Sequence, residues 1–450
     1  MQARPHPHAA AVSKLLGNGV RTSKEIGDAL QISQPTVSRV LRSMAGDVVR
    51  IAIHGSIHYA LRDSHRAYLS ASVSRVTAQG QLQRLGELVP VLPEGFVLTA
   101  LDGSDNHTEG LPWWLYDMRP QGYLGRAYAR QNAQRLSLPE RLSDWSDAHV
   151  LQALRQHGGD LAGNLLIGEQ AEQMFINAAP PQPIALAGKA VQYAALARAA
   201  EAGEIPGSSA AGEQPKFTAY VETGQGRAHV IVKFSAAQDN AVSERWRDLL
   251  LAEHIALDVL ARSGVPAASS RIVDHAGQRF LEVERFDRVG AMGRTALLSL
   301  AALDAEFVGS NAPWYEVTQA LAQQQCVVPA AVGGAALLWA FGILIGNSDM
   351  HNGNLSFTSD QGRPYQLAPA YDMTPMAFAP RSGGAMGHEL REPTIATAIS
   401  GDLWRAALQM AQRYAQRLQA EARLSERFAP CIQATVAHLT QAQARIARLA

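Results

Sequence analysis

The sequence predicts a multi-domain α+β protein: a small basic head of helices with a two-strand wing, then a body in which a sheet-rich lobe precedes a helical lobe. Three observations lead there. The chain has 450 residues, too many for one ordinary domain. Apolar spacing is helical over 13–44 and alternates over 47–61, "AHVIVKFS" and "RFLEVERFDR" read as strands, and helices are expected at Cys326–Gly346 and in the C-terminal tail. Lys/Arg and Asp/Glu cancel at 40 each, yet residues 1–62 hold eight basic and three acidic residues, a net of +5 on a body of −5.

The balance gives no global pull toward nucleic acid or membrane. Cys326 and Cys431 are the only cysteines, so neither a disulfide framework nor a thiolate metal site is expected. That fits a reducing cytoplasm, with nucleoid association through the basic head. The stretch "MQARPHPHAA" has no apolar core of a secretory signal. Cys326–Gly346, "CVVPAAVGGAALLWAFGILIG", is long enough to span a bilayer. Pro329, Gly333, Gly334 and Gly342 interrupt it and no basic cluster flanks it, which predicts a buried core helix instead.

In the head, Thr22 or Ser23 can cap a helix to about Leu30, with Glu25 near its start. "QIS" makes a tight turn, and Gln34–Met44 reads as a second helix with Val37, Val40, Leu41 and Met44 on its inner face. The other face shows Gln34, Thr36, Ser38, Arg39 and Arg42, side chains able to donate to phosphates and base edges. "DVVRIAIHGSIHYAL" then alternates around a His-Gly-Ser turn. Residues 1–62 resemble a winged helix-turn-helix that takes double-stranded DNA. A small protein-interaction module with a solvated polar face has the same pattern.

Four downstream stretches carry chemistry. "GSSAAGEQPKF", 207–217, has a G-x-x-x-x-G spacing but Glu213 and Gln214 where a Walker A loop needs Lys and Ser/Thr. Its small residues could still bring backbone N–H groups to phosphates, with Lys216 adding charge. "AHVIVKFS" is a strand with Lys233 near its end, where a kinase holds nucleotide phosphates; a solvent-facing lysine gives the same pattern. Glu253, on the helix expected over 243–263, is either its partner or one exposed acid among several. In "RFLEVERFDR" the backbone of Glu284, Arg285 and Phe286 could meet an adenine edge, or form a plain turn. Finally "GNSDMHNGNLSF" and "YQLAPAYDMTPM" place Asn354 five residues after Asp349, and Asp372 18 further on. This is the spacing of a kinase catalytic loop and its metal-binding aspartate. Asp349 would take the acceptor's proton; Asn354 and Asp372 are hard oxygen ligands suited to Mg²⁺. A transition-metal site at Asp349 and His351 lacks the His or Cys partners it would need, and His351 reads as a prop for the loop.

Together "SSAAGEQPKF", "VIVKFS", "EVERFDR", "GNSDMHNGNLSF" and "LAPAYDM" resemble the motif series of the HipA-like serine/threonine kinases, toxins of bacterial toxin–antitoxin modules, over roughly residues 65–440. The fused head resembles the YjjJ-type branch. The resemblance implies a bilobal protein-kinase-like fold, ATP and Mg²⁺ as cofactors, a protein substrate and an antitoxin-like partner. By motif it implies Asp349 as proton acceptor and Asn354 and Asp372 as Mg²⁺ ligands. Lys233 and His351 would belong to the ATP site, Glu284 to Phe286 to the hinge, and Ser209, Ala210, Ala211, Gly212, Glu213, Gln214 and Lys216 to the phosphate loop. Ser209 falls where the family carries an inhibitory autophosphorylation site. Pro215 departs from a full phosphate loop by removing one N–H.

The expected organisation is then 1–62 winged helix-turn-helix, 63–200 a family-like N-terminal subdomain, 201–290 the nucleotide lobe and 291–450 the helical lobe. "AAPPQPIA" is a Pro-rich connector, and "DLWRAALQMAQRYAQRLQAEARLSERF" reads as one long amphipathic helix. Two other functions fit the motifs: a DNA-binding regulator whose kinase-like body only senses nucleotide or a partner, and a small-molecule or lipid kinase.

Overall fold

The structure, a computed structural model, describes residues 6–53, 55–202, 214–381 and 384–449. The head holds helices Ala9–Leu16, Ser23–Leu30 and Gln34–Ser43. Thr22 and Glu25 form a reciprocal capping box: the Thr22 Oγ1 accepts from the Glu25 N–H at 3.2 Å, and Glu25 Oε2 accepts from the Thr22 N–H at 2.7 Å. Strands Val48–Ile53 and Ser56–Leu61 pair antiparallel, and Arg21–Thr22 adds a short third strand beside Ser56–Leu61. Val12, Leu16, Ile26, Val37, Val40, Leu41 and Met44 close a small core beneath the helices. Val49, Ile51 and Ala60, on the sheet, instead pack against Val89, Val91 and Val97 of the following unit. The head is therefore joined to the body by an apolar face.

That following unit is a five-stranded antiparallel sheet, in spatial order Asn106–Thr108, Phe96–Ala100, Leu82–Pro90, Ala71–Val76 and Leu165–Ile167. Helices Gly122–Leu136, Asp147–His157 and Glu169–Asn177 lie with it. The Pro-rich connector leads into helix Lys189–Glu201, which sequence organisation groups with 63–200. Its packing is with the next sheet: Tyr193, Ala194, Ala197 and Ala200 cover Phe217, Val230, Val232 and Phe280. The Tyr193 hydroxyl and Lys189 Nζ both donate to Glu282 Oε2, at 2.7 and 2.8 Å. The helix thus packs on that sheet through its small and aromatic face.

The sheet runs Ser270–His275, Gln278–Glu284, Gly226–Phe234 and Lys216–Thr223, all antiparallel. Asn240 caps helix Ala241–Arg262 by accepting from the Val242 and Ser243 N–H groups. This helix crosses into the core of the helical lobe, where Leu249, Ile255, Leu257 and Leu260 meet the helices Trp314–Gln323, Ala330–Ile345, Gly401–Ala420 and Ala429–Ile446. Helix Ala330–Ile345 is buried along most of its length, between Trp314 and Tyr414. No helix among the described residues is long and apolar enough to cross a membrane. The long amphipathic helix expected at the C-terminal end stops at Ala420. Asp248 there takes the Ser425 N–H and hydroxyl at 2.9 and 2.6 Å, which turns the chain before the last helix folds back.

Two glycines of the buried helix give opposite expectations. Gly346 ends it in the left-handed region at φ +76, and a Cβ there would lie 2.6 Å from Leu390 Cδ2. Gly333 is helical with nothing within 4 Å of a Cβ. In chemical denaturation, Gly346→Ala should lose about 1–3 kcal/mol, and Gly333→Ala should gain up to about 1 kcal/mol.

Candidate active site

Alternation along Gly226–Phe234 sends Val230, Val232 and Phe234 to the packed face of the sheet and Ile231 and Lys233 to the other. That other face forms the roof of a cleft whose floor is built from Leu297, Ser299, Asn354, Ser356 and Tyr371. Lys233 is opposite Lys216 on the neighbouring strand, so two ammonium groups enter the cleft side by side. Like charges so placed need counter-charge. Glu253, from the crossing helix, supplies it: Lys233 Nζ donates to Glu253 Oε1 and Oε2 at 2.6 and 2.8 Å. Asp372 Oδ1 accepts a third N–H of the same ammonium. Thr374 Oγ1 donates to Glu253 Oε2 at 2.7 Å, so the buried carboxylate is well satisfied.

Burial disfavours the charged form of Lys233, but Asp372 and Glu253 outweigh it and hold the ammonium above its ordinary range. Burial likewise pushes the Asp372 carboxyl up, and Lys233 with Lys216 overrides that and pulls it down. Asp372 sits at φ +53, a conformation that costs a non-glycine residue about 1 kcal/mol or more. Lys233 on its carboxylate and the Asn347 amide on its carbonyl, at 3.2 Å, keep it there.

The loop after Gly346 is fixed by side chain to backbone bonds. Asn347 Oδ1 accepts from the Asp349 N–H at 3.0 Å, and Asn354 Nδ2 donates to the Asp349 carbonyl at 2.8 Å. Asn352 Nδ2 donates to Asp304 Oδ2 at 3.3 Å, and Trp314 Nε1 donates to the His351 carbonyl at 3.1 Å. Those anchors explain the knot of polar residues that follows an uncharged helix. The Asp349 carboxylate is exposed and is not part of the cleft wall; partial burial raises its pKa against the pull of His351, with Asp372 adding to the rise and Lys233 opposing it. Asn354 and Asp372 fit a hard divalent cation. The Asn354 NH₂ is committed to the Asp349 carbonyl, leaving Oδ1 as ligand atom, and Asp372 has a second oxygen beyond the one Lys233 holds.

Of the residues expected at the nucleotide, Lys216, Lys233, Glu284, Arg285, Phe286, Asn354 and Asp372 line one cleft. Ser209, Ala210, Ala211, Gly212 and Glu213 lie outside the described residues, and Gln214 is described but does not line the cleft. His351 is not in the cleft wall either; its Nδ1 accepts from the Gly353 N–H at 3.0 Å and its Nε2 is 4.0 Å from Asp349 Oδ1. In the hinge the Glu284 and Arg285 N–H groups go to the Ser269 and His229 carbonyls, both at 2.8 Å, so those two amides are not open to an adenine edge. The Arg285 guanidinium is spent on Asp287, Asp160 and the Leu161 carbonyl. Sequence reasoning missed Asp117 and Gln121, which reach the cleft from the middle region. Asp117 Oδ2 accepts from the Ser299 N–H at 2.6 Å, and burial raises its pKa. Its only signal was position, inside the aromatic stretch "PWWLYDMRPQ". In the head, Gln34, Ser38, Arg39 and Arg42 are exposed on one face of their helix and Thr36 is half-buried, opposite buried Val37, Val40 and Leu41. Gln34 Nε2 is tied to Ser23 Oγ at 2.9 Å. Among the described residues no group of three or more His, Cys, Asp or Glu could hold a metal ion.

Comparison with known proteins agrees with this layout. The family described as "YjjJ-like toxin, middle domain" matches residues 69–176, and the one described as "HipA-like C-terminal domain" matches 208–442. A curated relative, Toxin YjjJ of Escherichia coli (strain K12), is 40% identical over 440 residues, covering 97% of this chain and 99% of that protein. A chain of the Shewanella oneidensis MR-1 toxin–antitoxin complex of HipA, HipB and operator DNA superposes with a TM-score of 0.53 at 18% identity, over 82% of this chain and 95% of that one. That likeness is one of fold. The Helicobacter pylori proinflammatory kinase CtkA matches 52% of this chain and 88% of its own at 13% identity, and its TM-score of 0.36 carries no argument.

Removing the central ammonium tests the electrostatics. Lys233→Met leaves Glu253 and Asp372 buried without a cation and should cost about 3–5 kcal/mol at pH 7. In the parent, the depressed Asp372 stabilises the fold above the unfolded carboxyl pKa and loses that as pH falls. In the variant Asp372 loses the largest charge that lowers its pKa while its burial remains, so its carboxyl rises and protonation relieves the folded state as pH falls. The deficit should therefore shrink between pH 7 and pH 4 in paired urea titrations; a constant deficit would contradict the assigned charges.

Proposed function

The chain belongs to the HipA-like toxin family, and from that premise we propose that it is an ATP- and Mg²⁺-dependent serine/threonine protein kinase with its own DNA-binding head. The observation that carries the reading is the Glu253–Lys233–Asp372 chain set beside a loop in which Asn354 is bonded to the backbone of Asp349. Lys216 and Lys233 provide positive charge for nucleotide phosphates, and Ile231, Val283 and Leu297 form an apolar slot for a base. Asn354 and Asp372 would hold Mg²⁺, which would supply neutralising charge to the phosphates. Asp349 orients an incoming hydroxyl and accepts its proton as the hydroxyl oxygen bonds to the γ-phosphorus and the bond to the bridging oxygen breaks. The substrate is a protein hydroxyl, and the family supports an antitoxin-like partner.

The rival, a DNA-binding regulator whose body only senses nucleotide, separates from this reading at Asp349. With ATP, Mg²⁺ and a cell lysate, Asp349→Asn should lower phosphoryl transfer by about 10²–10⁴ while thermal stability and nucleotide binding hold. Transfer at the parental rate would remove Asp349 from the chemistry. No transfer by the parent, with nucleotide still bound, would favour the sensor.

The exposed face of Gln34–Ser43 supports the DNA reading. The apolar sheet face of the head makes an excised 1–62 fragment a poor reagent, since Val49, Ile51 and Ala60 would be bared. The full chain should bind duplex DNA with affinity that falls steeply as salt rises. Arg39→Ala should blunt sequence preference more than non-specific affinity, at about 1–3 kcal/mol for a specific site. Salt-insensitive binding, or none, would sink the DNA role.

A further inference from the structure

A second recess, of about 610 Å³, opens between the middle-region helices Gly122–Leu136, Asp147–His157 and Glu169–Asn177 and the segment 288–294 that follows the nucleotide-lobe sheet. Three arginines line it, Arg135, Arg288 and Arg294, against one carboxylate, Asp160. Asp160 is already engaged by Arg285 at 3.2 Å and Arg288 at 2.7 Å. Arg288 is spent on that carboxylate, the Asp287 carboxylate and three carbonyls.

Arg294 is different. It is 7% exposed, its Nη2 donates to the Gly159 carbonyl, and its guanidinium lies over the Phe175 ring, 5.2 Å from the centroid. Its Nη1 is buried with no acceptor, and no carboxylate pairs with it among the described residues. Asp160 and Asp287 act on it only through space, and burial together with Arg288 and Arg285 outweighs them, so the buried guanidinium is under-compensated and an anion from outside would be stabilised there. At the rim, Arg135 Nη2 donates to Asn132 Oδ1 at 2.8 Å and meets His157 Nε2 at 2.6 Å. An arginine only donates, so Nε2 is the acceptor, and the imidazole is neutral with its proton on Nδ1, toward the Tyr128 oxygen at 2.8 Å. Arg135 is therefore positioned by neutral groups and keeps its whole charge. Burial and then Arg135 lower the His157 pKa, in keeping with that neutral ring.

We propose that this recess binds a small organic phosphate, with Arg294 and Arg135 as its charge-assisted donors. The excess of two positive charges in the wall matches a phosphate dianion, whereas a carboxylate would leave one uncompensated. The volume exceeds what inorganic phosphate fills, and Met174, Phe175 and Met292 offer an apolar surface to the remainder of the ligand. The site is separate from the cleft of Lys233 and does not depend on what that cleft does.

Calorimetric titration of the full chain with 5′-GMP, glucose 6-phosphate and inorganic phosphate tests it. At least one ester should bind saturably and more tightly than inorganic phosphate; the tighter ester tells a nucleotide from a sugar phosphate. Hydrogen exchange with that ester should show protection at 128–135, 157–160 and 288–294. Arg135→Gln should weaken it about tenfold or more. Arg294→Met should abolish it while the ligand-free melting temperature stays level or rises, because an unpaired buried charge is removed. No binding by either ester, protection confined to the Lys233 cleft, binding untouched in Arg135→Gln, or a fall of several degrees in ligand-free Arg294→Met would each overturn the proposal.

Discussion

One buried ammonium fixes the geometry of the candidate active site. Lys233 leaves a strand of the nucleotide lobe, Glu253 comes from the crossing helix and Asp372 from the segment below the cleft, so a single Nζ joins three separate elements. Two carboxylates around one cation leave a negative excess, partly answered by Lys216 on the adjacent strand. That excess fits a site for a divalent cation with phosphates. It also explains the left-handed backbone at Asp372: the conformation is unfavourable alone, and the ammonium and the Asn347 amide hold it from both ends. The strain is local and over-determined, as expected where a functional carboxylate must point one way.

A second charged cluster fastens the middle region to the hinge. Arg285, Asp287 and Arg288 follow the strand Gln278–Glu284 directly and reach back to Asp160, Leu161 and Gly163. Asp287 is fully embedded, and although burial opposes ionisation, Arg285 and Arg288 hold its carboxyl down at about 2. Removing one member would strand the others in low dielectric, the circumstance in which buried ion pairs matter most. The motif "EVERFDR" thus has two duties. Its backbone passes the cleft, and its charged side chains bind the middle region, which in turn brings Asp117 to the cleft floor.

Much of this was legible in the sequence because it depends on short-range pattern. The Thr22–Glu25 cap, the antiparallel pair Val48–Ile53 and Ser56–Leu61, the buried helix before Gly346 and the five-residue step from Asp349 to Asn354 are all local. Glu253 was open between partner and bystander, since no pattern tells which face of a helix meets a strand 20 residues earlier. Asp117 was invisible for a stronger reason: its partner Ser299 is 182 residues away, and a lone aspartate in an aromatic stretch has no periodicity. The packing of helix Lys189–Glu201 was not legible, because a Pro-rich connector before it and glycines after it punctuate equally well, and its attachment to the next sheet rests on Tyr193 and Lys189 meeting Glu282, 89 and 93 residues on. The C-terminal helix break at Ala420 rests on Asp248, again distant in sequence.

The head, the middle region and the cleft form a contiguous packed series. Val49 and Ile51 of the head lie on Val89 and Val97; the same sheet carries Leu88 and Phe96 into the core that supports Leu115; and two residues beyond Leu115, Asp117 bonds to Ser299 at the cleft floor. The recess with Arg294 adjoins this series through Asp160, which shares Arg285 with the hinge. Contiguity of this kind provides a route by which an event at one end changes energies at the other. It does not by itself provide a switch, which needs an element with two arrangements that both ends bias. The ion clusters are poor candidates, since Asp287 and Asp160 are held by several partners each and have no second set nearby. The apolar contact between head and middle region is a better one. It combines small aliphatic faces with a few hydrogen bonds, the Leu92 N–H to the Leu61 carbonyl at 2.8 Å and the Ala52 N–H to Asp105 Oδ2 at 3.2 Å, so parting it costs exposed area and those bonds together. Coupling between the head and the cleft would then lie in how firmly the strand pair Val48–Ile53 and Ser56–Leu61 is seated on that sheet.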